Sequence, residues 1–273
     1  MLSENFFNEV LFTGHTLTAS SSAANHPAWH VGTGRRQPAQ NYWTPSSTGA
    51  DSWIAVQCDV SRSADMLAID RAHNLAGQTV RLQTSADGVV WGDLISFVVP
   101  STLNANADLD SGAATEEGAF VRRFTATAAL HWRVFVDSMG AGNRPKIMGL
   151  HLGTSFSPAN SLVKPFSHGE YELTHTETTS PHGHTAAGTI AQKRRGSFRI
   201  ECVDRSEWAV ARLHIDQRFL RRRPTWLVLD DAEAEKALLA VHPTGVAGFK
   251  VEGQWSEYQG EFSYAELGPR LVA

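Results

Sequence analysis

Two groups of side chains have types and spacings that bear on chemistry. Trp29, His30, Arg35 and Arg36, with His26 close by, fall in one stretch, SAANHPAWHVGTGRRQPAQNYWTPSSTGA, residues 22–50. An indole stacks on the apolar face of a sugar ring, and imidazole and guanidinium groups hydrogen-bond its hydroxyls. These four residues are therefore the candidate ligand-binding group, with a plug in the end of an apolar core as the alternative role for Trp29. The second group is His168, His175, His182 and His184, spread over seventeen residues. His182-Gly183-His184 offers two imidazoles to a metal, but no cysteine lies near to complete a tetrahedral set. The expectation is no metal, and a loop in which His182 and His184 serve an interface. Arg221, Arg222 and Arg223, followed by Pro224, are assigned to the same interface role. At the end of a helix they also complement its negative pole.

Other chemistry is not signalled. Gly-x-Ser-x-Gly and His-Glu-x-x-His do not occur in the sequence. GTGRRQ has neither the glycines nor the strand-then-helix setting of a phosphate loop. Asp108, Asp110, Glu116 and Glu117 are hard oxygen donors, but their spacing matches no EF-hand, and PSTLNANADLDSGAATEEGA (100–119) reads as a solvated acidic loop. No catalytic residue and no cofactor is assigned, and the chain is not expected to be an enzyme.

The elements that must position the candidate residues are mostly strands. From Asp51, Trp53, Ala55, Gln57 and Asp59 alternate with Ile54, Val56 and Cys58, the two-residue period of a strand. Met66 to Ile69 gives a second strand. Val80, Leu82 and Thr84 alternate with Arg81 and Gln83 in a third, and Ser85-Ala86-Asp87-Gly88 turns the chain towards Trp91. Further on, 155–161 is a Pro/Ser linker, and EYELTHTET (170–178) and IAQKRRGSFRIECV (190–203) read as strands. A capping-box-like Asp204-Arg205-Ser206-Glu207 opens a helix to about Phe219. Trp226 to Leu229 is a strand, Ala232 to Val241 is a short helix or a loop leading into a strand, and 249–264 is a final hairpin.

Composition sets the outer bounds. The chain has 273 residues, 42% hydrophobic and 19% charged, with a formal net charge of −4, enough for real cores and without general affinity for polyanions. Up to residue 153 there are 10 basic and 13 acidic residues, and 14 and 15 beyond it, so neither half reads as a nucleic-acid binder. Cys58 and Cys202 lie one in each half and are expected to be buried thiols. MLSENFFNEV does not read as a secretory signal, and no run approaches the ~20 apolar residues of a membrane span. Neither nucleic acid nor membrane insertion is expected.

The order Trp-Ile-x-Val-x-x-Asp (53–59), strand, His-Asn-Leu-x-Gly (73–77), strand, Ser-x-Asp-Gly-x-x-Trp (85–91) resembles the galactose-binding-like β-sandwich of discoidin and coagulation-factor C-type domains. Leu17 to Ser21 resembles its opening strand, and Tyr42-Trp43-Thr44-Pro45 its aromatic corner, which makes Trp43 structural. His131 to Val136 and Ile147 to Gly153 resemble its last two strands. The resemblance implies a mainly β fold: a jelly-roll β-sandwich over 17–153, followed by a β-rich assembly domain over 154–273 with one or two helices. Residues 1–16 form either an edge strand or an arm that docks on a neighbour. It also implies ligand contact at the loops of one end, where Trp29, His30, Arg35 and Arg36 fall. In organisation the chain resembles a siphovirus-like phage tail-tip or baseplate protein. That implies a virion component made in the host cytoplasm, whose partners are other tail proteins, copies of itself and, as candidate ligand, a host cell-surface glycan. The alternative is a non-viral carbohydrate-binding module.

Overall fold

A computed structural model describes residues 14–32, 42–70, 73–99, 120–157, 170–179, 185–202, 205–214, 225–227, 238–241, 258–266 and 270–271. The mainly β class expected from the sequence is what it shows. Among the described residues there are two six-stranded antiparallel sheets, one in each half, and one α-helix. No described helix is long and apolar enough to cross a membrane.

The first sheet is built on two long strands, β2 (Ser52–Ile69) and β5 (Phe120–Val136), paired antiparallel over most of their length. Around them lie β1 (Thr16–Ala19), β3 (Thr79–Ser85), β4 (Gly92–Val98) and β6 (Leu150–Gly153), in the order β1-β2-β5-β3-β4, with β6 on β2. The expectation of two strands within 53–69 needs correction, because β2 runs through. The polar stretch Asp59-Val60-Ser61-Arg62 that resembles a break is a bulge. Here four residues of β2, 58–61, face one of β5, Leu130. The Asp59 carboxylate holds the bulge by accepting from Val60 N (2.9 Å), Arg62 Nε (3.0 Å) and Arg62 Nη2 (3.2 Å). Burial opposes ionisation of Asp59, but Arg62, the Val60 N–H and His15 outweigh it and hold the carboxyl below its usual range. A second irregularity runs the other way: Asp65 faces three residues of β5, 124–126. The Asp65 carboxylate accepts from Ser155 N (2.6 Å) and Ser155 Oγ (3.0 Å), which fastens the chain beyond β6.

These bulges bend the ribbon into two layers over one core. Ile54, Val56 and Cys58 from one part of β2 join Leu67 and Ile69 from the other in a single buried cluster with Trp132 and Val134 of β5. Beyond the bend, β2 is covered on both faces. Met66 and Ala68, opposite the core side, are as buried as Leu67 and Ile69, and His151 of β6 beside Ala68 is buried too. A strand buried on both sides reads as a continuous apolar run, which is what Met66-Leu67-Ala68-Ile69 is.

Trp43 closes one end of the core, as expected. It is fully buried, it exchanges both backbone hydrogen bonds with Ile147, and its indole N–H donates to Ser21 O at 3.0 Å.

In the second half, β8 (Thr185–Cys202) is central, flanked by β7 (Glu170–Thr179), β11 (Tyr258–Glu266) and β12 (Arg270–Leu271). β10 (Leu238–Val241) and β9 (Thr225–Leu227) extend the sheet beyond β11. The helix, α1, covers Arg205–His214. Ala232–Val241 resolves into a strand at 238–241, and β11 pairs with β8 and β10. The halves touch where the buried Trp226 of β9 meets His151 edge to face, with ring centroids 5.4 Å apart.

The two tryptophans of the 22–50 stretch have opposite roles, which unfolding in urea will separate. Trp43→Ala is expected to cost about 3–5 kcal/mol, the range for truncating a fully packed aromatic. Trp29 is 52% exposed, and its alanine variant is expected to stay within about 0.5 kcal/mol of the parent. Equal costs would refute the assignment.

Candidate functional site

The alternation that sends Ile54, Val56, Trp132 and Val134 inward sends another set outward on the first layer. Register then aligns that set into three rows. Thr16, Gln57, His131 and Ser85 form one row across β1, β2, β5 and β3. Thr18, Ala55, Arg133, Gln83 and Asp93 form the next, reaching β4. Trp53, Phe135 and Arg81 form the third. Ala55 is the small residue between Trp53 and Gln57, and it leaves a depression there. The result is a cleft of about 280 Å³ lined by Thr16, Thr18, Trp53, Gln57, Trp91 and His131.

Trp91 comes from the turn between β3 and β4, and that turn is tightly held. Ser85 Oγ accepts from Gly88 N (2.9 Å), and Asp87 Oδ1 accepts from Val89 N (2.8 Å), Val90 N (2.9 Å) and the Ser85 hydroxyl (2.9 Å). The Val90 and Val89 N–H groups and then Ser85 hold the Asp87 carboxyl down at about 2. Gly88 has φ 74°, and a Cβ on it would stand 3.2 Å from the His131 ring, so backbone conformation and space both call for glycine. The Trp91 indole donates to Gly88 O at 3.1 Å, and its ring meets His131 edge-on at 6.5 Å.

Arg133 lies against both tryptophans. Its guanidinium carbon is 4.2 Å from the Trp91 ring centroid, 5.6 Å from that of Trp53 and 5.4 Å from that of Phe135, all within cation–π range. Its Nε donates to Gln83 Oε1 at 2.6 Å, and Gln83 Nε2 donates in turn to Asp93 Oδ1 at 2.5 Å. Arg81 is held differently. It donates to Asp137 Oδ1 through Nε (3.0 Å) and Nη2 (2.5 Å), stands 3.6 Å from Asp93, and lies 4.3 Å over Phe135. Asp137 accordingly raises the pKa of Arg81, whereas burial and then the charge of Arg81 lower that of Arg133.

Of the residues singled out from sequence, Trp29 and His30 sit in a 3₁₀ turn, Ala28–Val31. Trp29 is open to solvent and packs edge-on against His30 at 4.3 Å. His30 is buried, with Nδ1 3.1 Å from Tyr42 O, so it props Tyr42 rather than facing solvent. Tyr42 stacks on His26 at 3.9 Å. Arg35, Arg36, His182, His184, Arg221, Arg222 and Arg223 lie outside the described residues, as does the acidic loop. The grouping of Trp53, Trp91, His131 and Arg133 is absent from the sequence reading. Its signal was the outward set of the Trp53 strand, an aromatic and two polar residues around an alanine.

No family model matches the sequence, and no curated protein does. Solved structures with a similar fold include CpGH89CBM32-5 from Clostridium perfringens, in complex with GalNAc-β-1,3-galactose. It is 13% identical with a TM-score of 0.40, over 51% of this chain and 94% of that one. Chitosan-binding module 1 of a chitosanase/glucanase from Paenibacillus sp. IK-5 is 18% identical with a TM-score of 0.41, over 55% and 98%. The family 32 module of C. perfringens NanJ, in complex with galactose, is 14% identical with a TM-score of 0.39, over 50% and 92%.

The Asp87 turn carries a pH signature. A carboxyl whose folded pKa is depressed stabilises above its unfolded value, about 3.9. That contribution is lost as pH falls through the folded value of about 2. Amide chemical shifts of Val89 and Val90 should therefore stay constant from pH 7 to about 4 and move only below it, and Asp87→Asn should remove the transition. A midpoint near pH 4 or above would contradict the hydrogen-bond pattern.

Proposed function

We propose that the first half is a galactose-binding-like module that binds glycan, and that it does no chemistry on it. The cleft between Trp53 and Trp91 carries this reading. Two indoles offer faces to a pyranose ring. Around them Thr16, Thr18, Gln57 and His131 offer hydroxyl, amide and imidazole groups for its hydroxyls. The volume of about 280 Å³ lies at the small end of ligand pockets, which suits one ring or the end of a chain. The exposed Trp29 marks a second surface of the same chemistry at the loop end.

The wider setting proposed is a virion: a component of a siphovirus-like tail tip or baseplate, with the sandwich facing the host surface and residues 154–273 joining tail proteins and copies of the chain. Supporting it is the pairing of a sandwich with a second sheet whose outer strands β7, β9 and β12 leave edges for neighbours to pair with. The competing reading is a carbohydrate-binding module outside any virion.

A glycan array on the purified full chain tests the first part. Binding is expected, and Trp53→Ala and Trp91→Ala should each weaken it at least ~tenfold, about 1.4 kcal/mol. Absence of any glycan bound, or variants that bind as the parent does, would overturn it. Deleting residues 154–273 in a phage or prophage that encodes the chain tests the second part. It should abolish incorporation into tails, and normal tails would end that reading.

A further inference from the structure

Arg81 and Arg133 both stand on the outer face of the first layer, but their charges are satisfied differently. Arg81 is paired with Asp137 and stands 3.6 Å from Asp93. Arg133 has no carboxylate within salt-bridge distance among the described residues. Its guanidinium carbon instead lies 4.2 Å from the Trp91 ring centroid, 5.6 Å from that of Trp53 and 5.4 Å from that of Phe135. A half-buried cation without a counter-charge is attracted to the negative face of each ring, and water competes for it less than at an open site. Trp53 belongs to β2, and Trp91 to the turn between β3 and β4. Arg133, with Ala55 as its Cα partner on one side and Gln83 on the other, stands between those elements.

We infer that Arg133 is a positioning residue for the cleft: it holds the indoles of Trp53 and Trp91 against one guanidinium and so sets the two walls before any ligand arrives. Arg133 lies outside the set of residues that line the cleft, and the inference asks for no contact between it and a ligand. The hold depends on the planar fork. Nε donates to Gln83 Oε1, and Gln83 is fixed in turn by Asp93, so the guanidinium has one orientation among the rings. A lysine ammonium is compact and strongly hydrated and lacks that planar fork. The two walls are not held equally. Trp91 also donates its indole N–H to Gly88 O, whereas among the described residues no hydrogen bond holds the Trp53 indole. Trp53 therefore depends on Arg133 more than Trp91 does. A wall fixed in advance loses less conformational freedom on binding, so affinity follows its rigidity. In its bearing on affinity this rests on the glycan-binding reading; in its bearing on the indoles it stands alone.

Nitrogen-15 relaxation of the indole N–H groups in the full chain tests this without any sugar. Arg133→Met keeps an apolar stem and removes the charge and the Nε donor. The order parameter of the Trp53 indole should fall from about 0.85 to below about 0.6, and that of Trp91 should fall less. Trp132, buried in the core with its indole N–H donating to Ala129 O, should not change and reports an intact fold. Arg133→Lys should recover only part of the loss. Gln83→Leu removes the acceptor that fixes Arg133 Nε and should loosen Trp53 and Trp91 in the same order. It decides the matter if Arg133→Met loosens Trp132 as well. The array glycan with the strongest signal on the parent chain should bind Arg133→Met about fivefold more weakly, the effect of one cation–π contact. Indoles as rigid as the parent's, or Trp53, Trp91 and Trp132 loosened alike in both variants, would overturn the inference. So would loosened indoles with unchanged affinity for that glycan. A blank array overturns the glycan reading, and the relaxation data then decide whether Arg133 sets the two walls.

Discussion

The pairing of β2 with β5 is the constraint on which the first half depends. One strand pair runs through both layers, so its register decides at once which residues meet in the core and which line the outer face. A shift of one residue would send Ile54 and Val56 outward and bring Trp53 and Gln57 in. The bulges at Asp59 and Asp65 let the pair bend without losing register on either side, since each inserts its extra residues in the opposite strand. Both are held by carboxylates whose partners lie along the same strand or just beyond the neighbouring strand β6. Local electrostatics thus set a long-range geometry.

The outer face shows how polar groups are kept in place on a surface that is half dry. Arg81, Asp137, Asp93, Gln83 and Arg133 form one connected run of hydrogen bonds and ion contacts across β3, β4 and β5. Exposed ion pairs contribute little each to stability. Here their effect is positional: Phe135 lies close to both guanidinium groups, and Arg133 is fixed against Trp91. The turn from Ser85 to Val90 fixes the same indole from the other side through Gly88 O.

What was legible in the sequence follows from how local each signal is. The alternation at 53–58 and 80–84, the Asp-Gly turn and the buried Trp43 corner are written within a few residues of themselves, and they hold. The continuity of β2 was not legible, because Asp59 to Arg62 has the composition of a loop and becomes strand only when Asp59 bonds Val60 and Arg62. The early part of β5 was missed for a similar reason. FTATAA alternates weakly and gains its strand character from pairing with 62–69. The cleft was least legible, since Trp91 and His131 are separated by 40 positions and meet only through register. His30 has the chemistry of a ligand-binding residue, but it is buried and its ring nitrogen is engaged by the Tyr42 carbonyl, a partner twelve positions away.

The bend also governs where the chain comes in and where it goes out. Thr16 pairs with Gln57 and Gly153 with Met66, with His15 reaching Asp59 and Ser155 reaching Asp65. The two anchoring aspartates are six positions apart on one strand, at most about 21 Å even if it were straight. The sandwich is therefore a closed excursion: a path that leaves near residue 14 returns near residue 155 to the same strand, β2. A linker of roughly eight to ten residues would span that distance and leave every strand pairing intact. Circularly permuted forms are thus topologically open to this half, as is its insertion as an appendage into a surface loop of another protein.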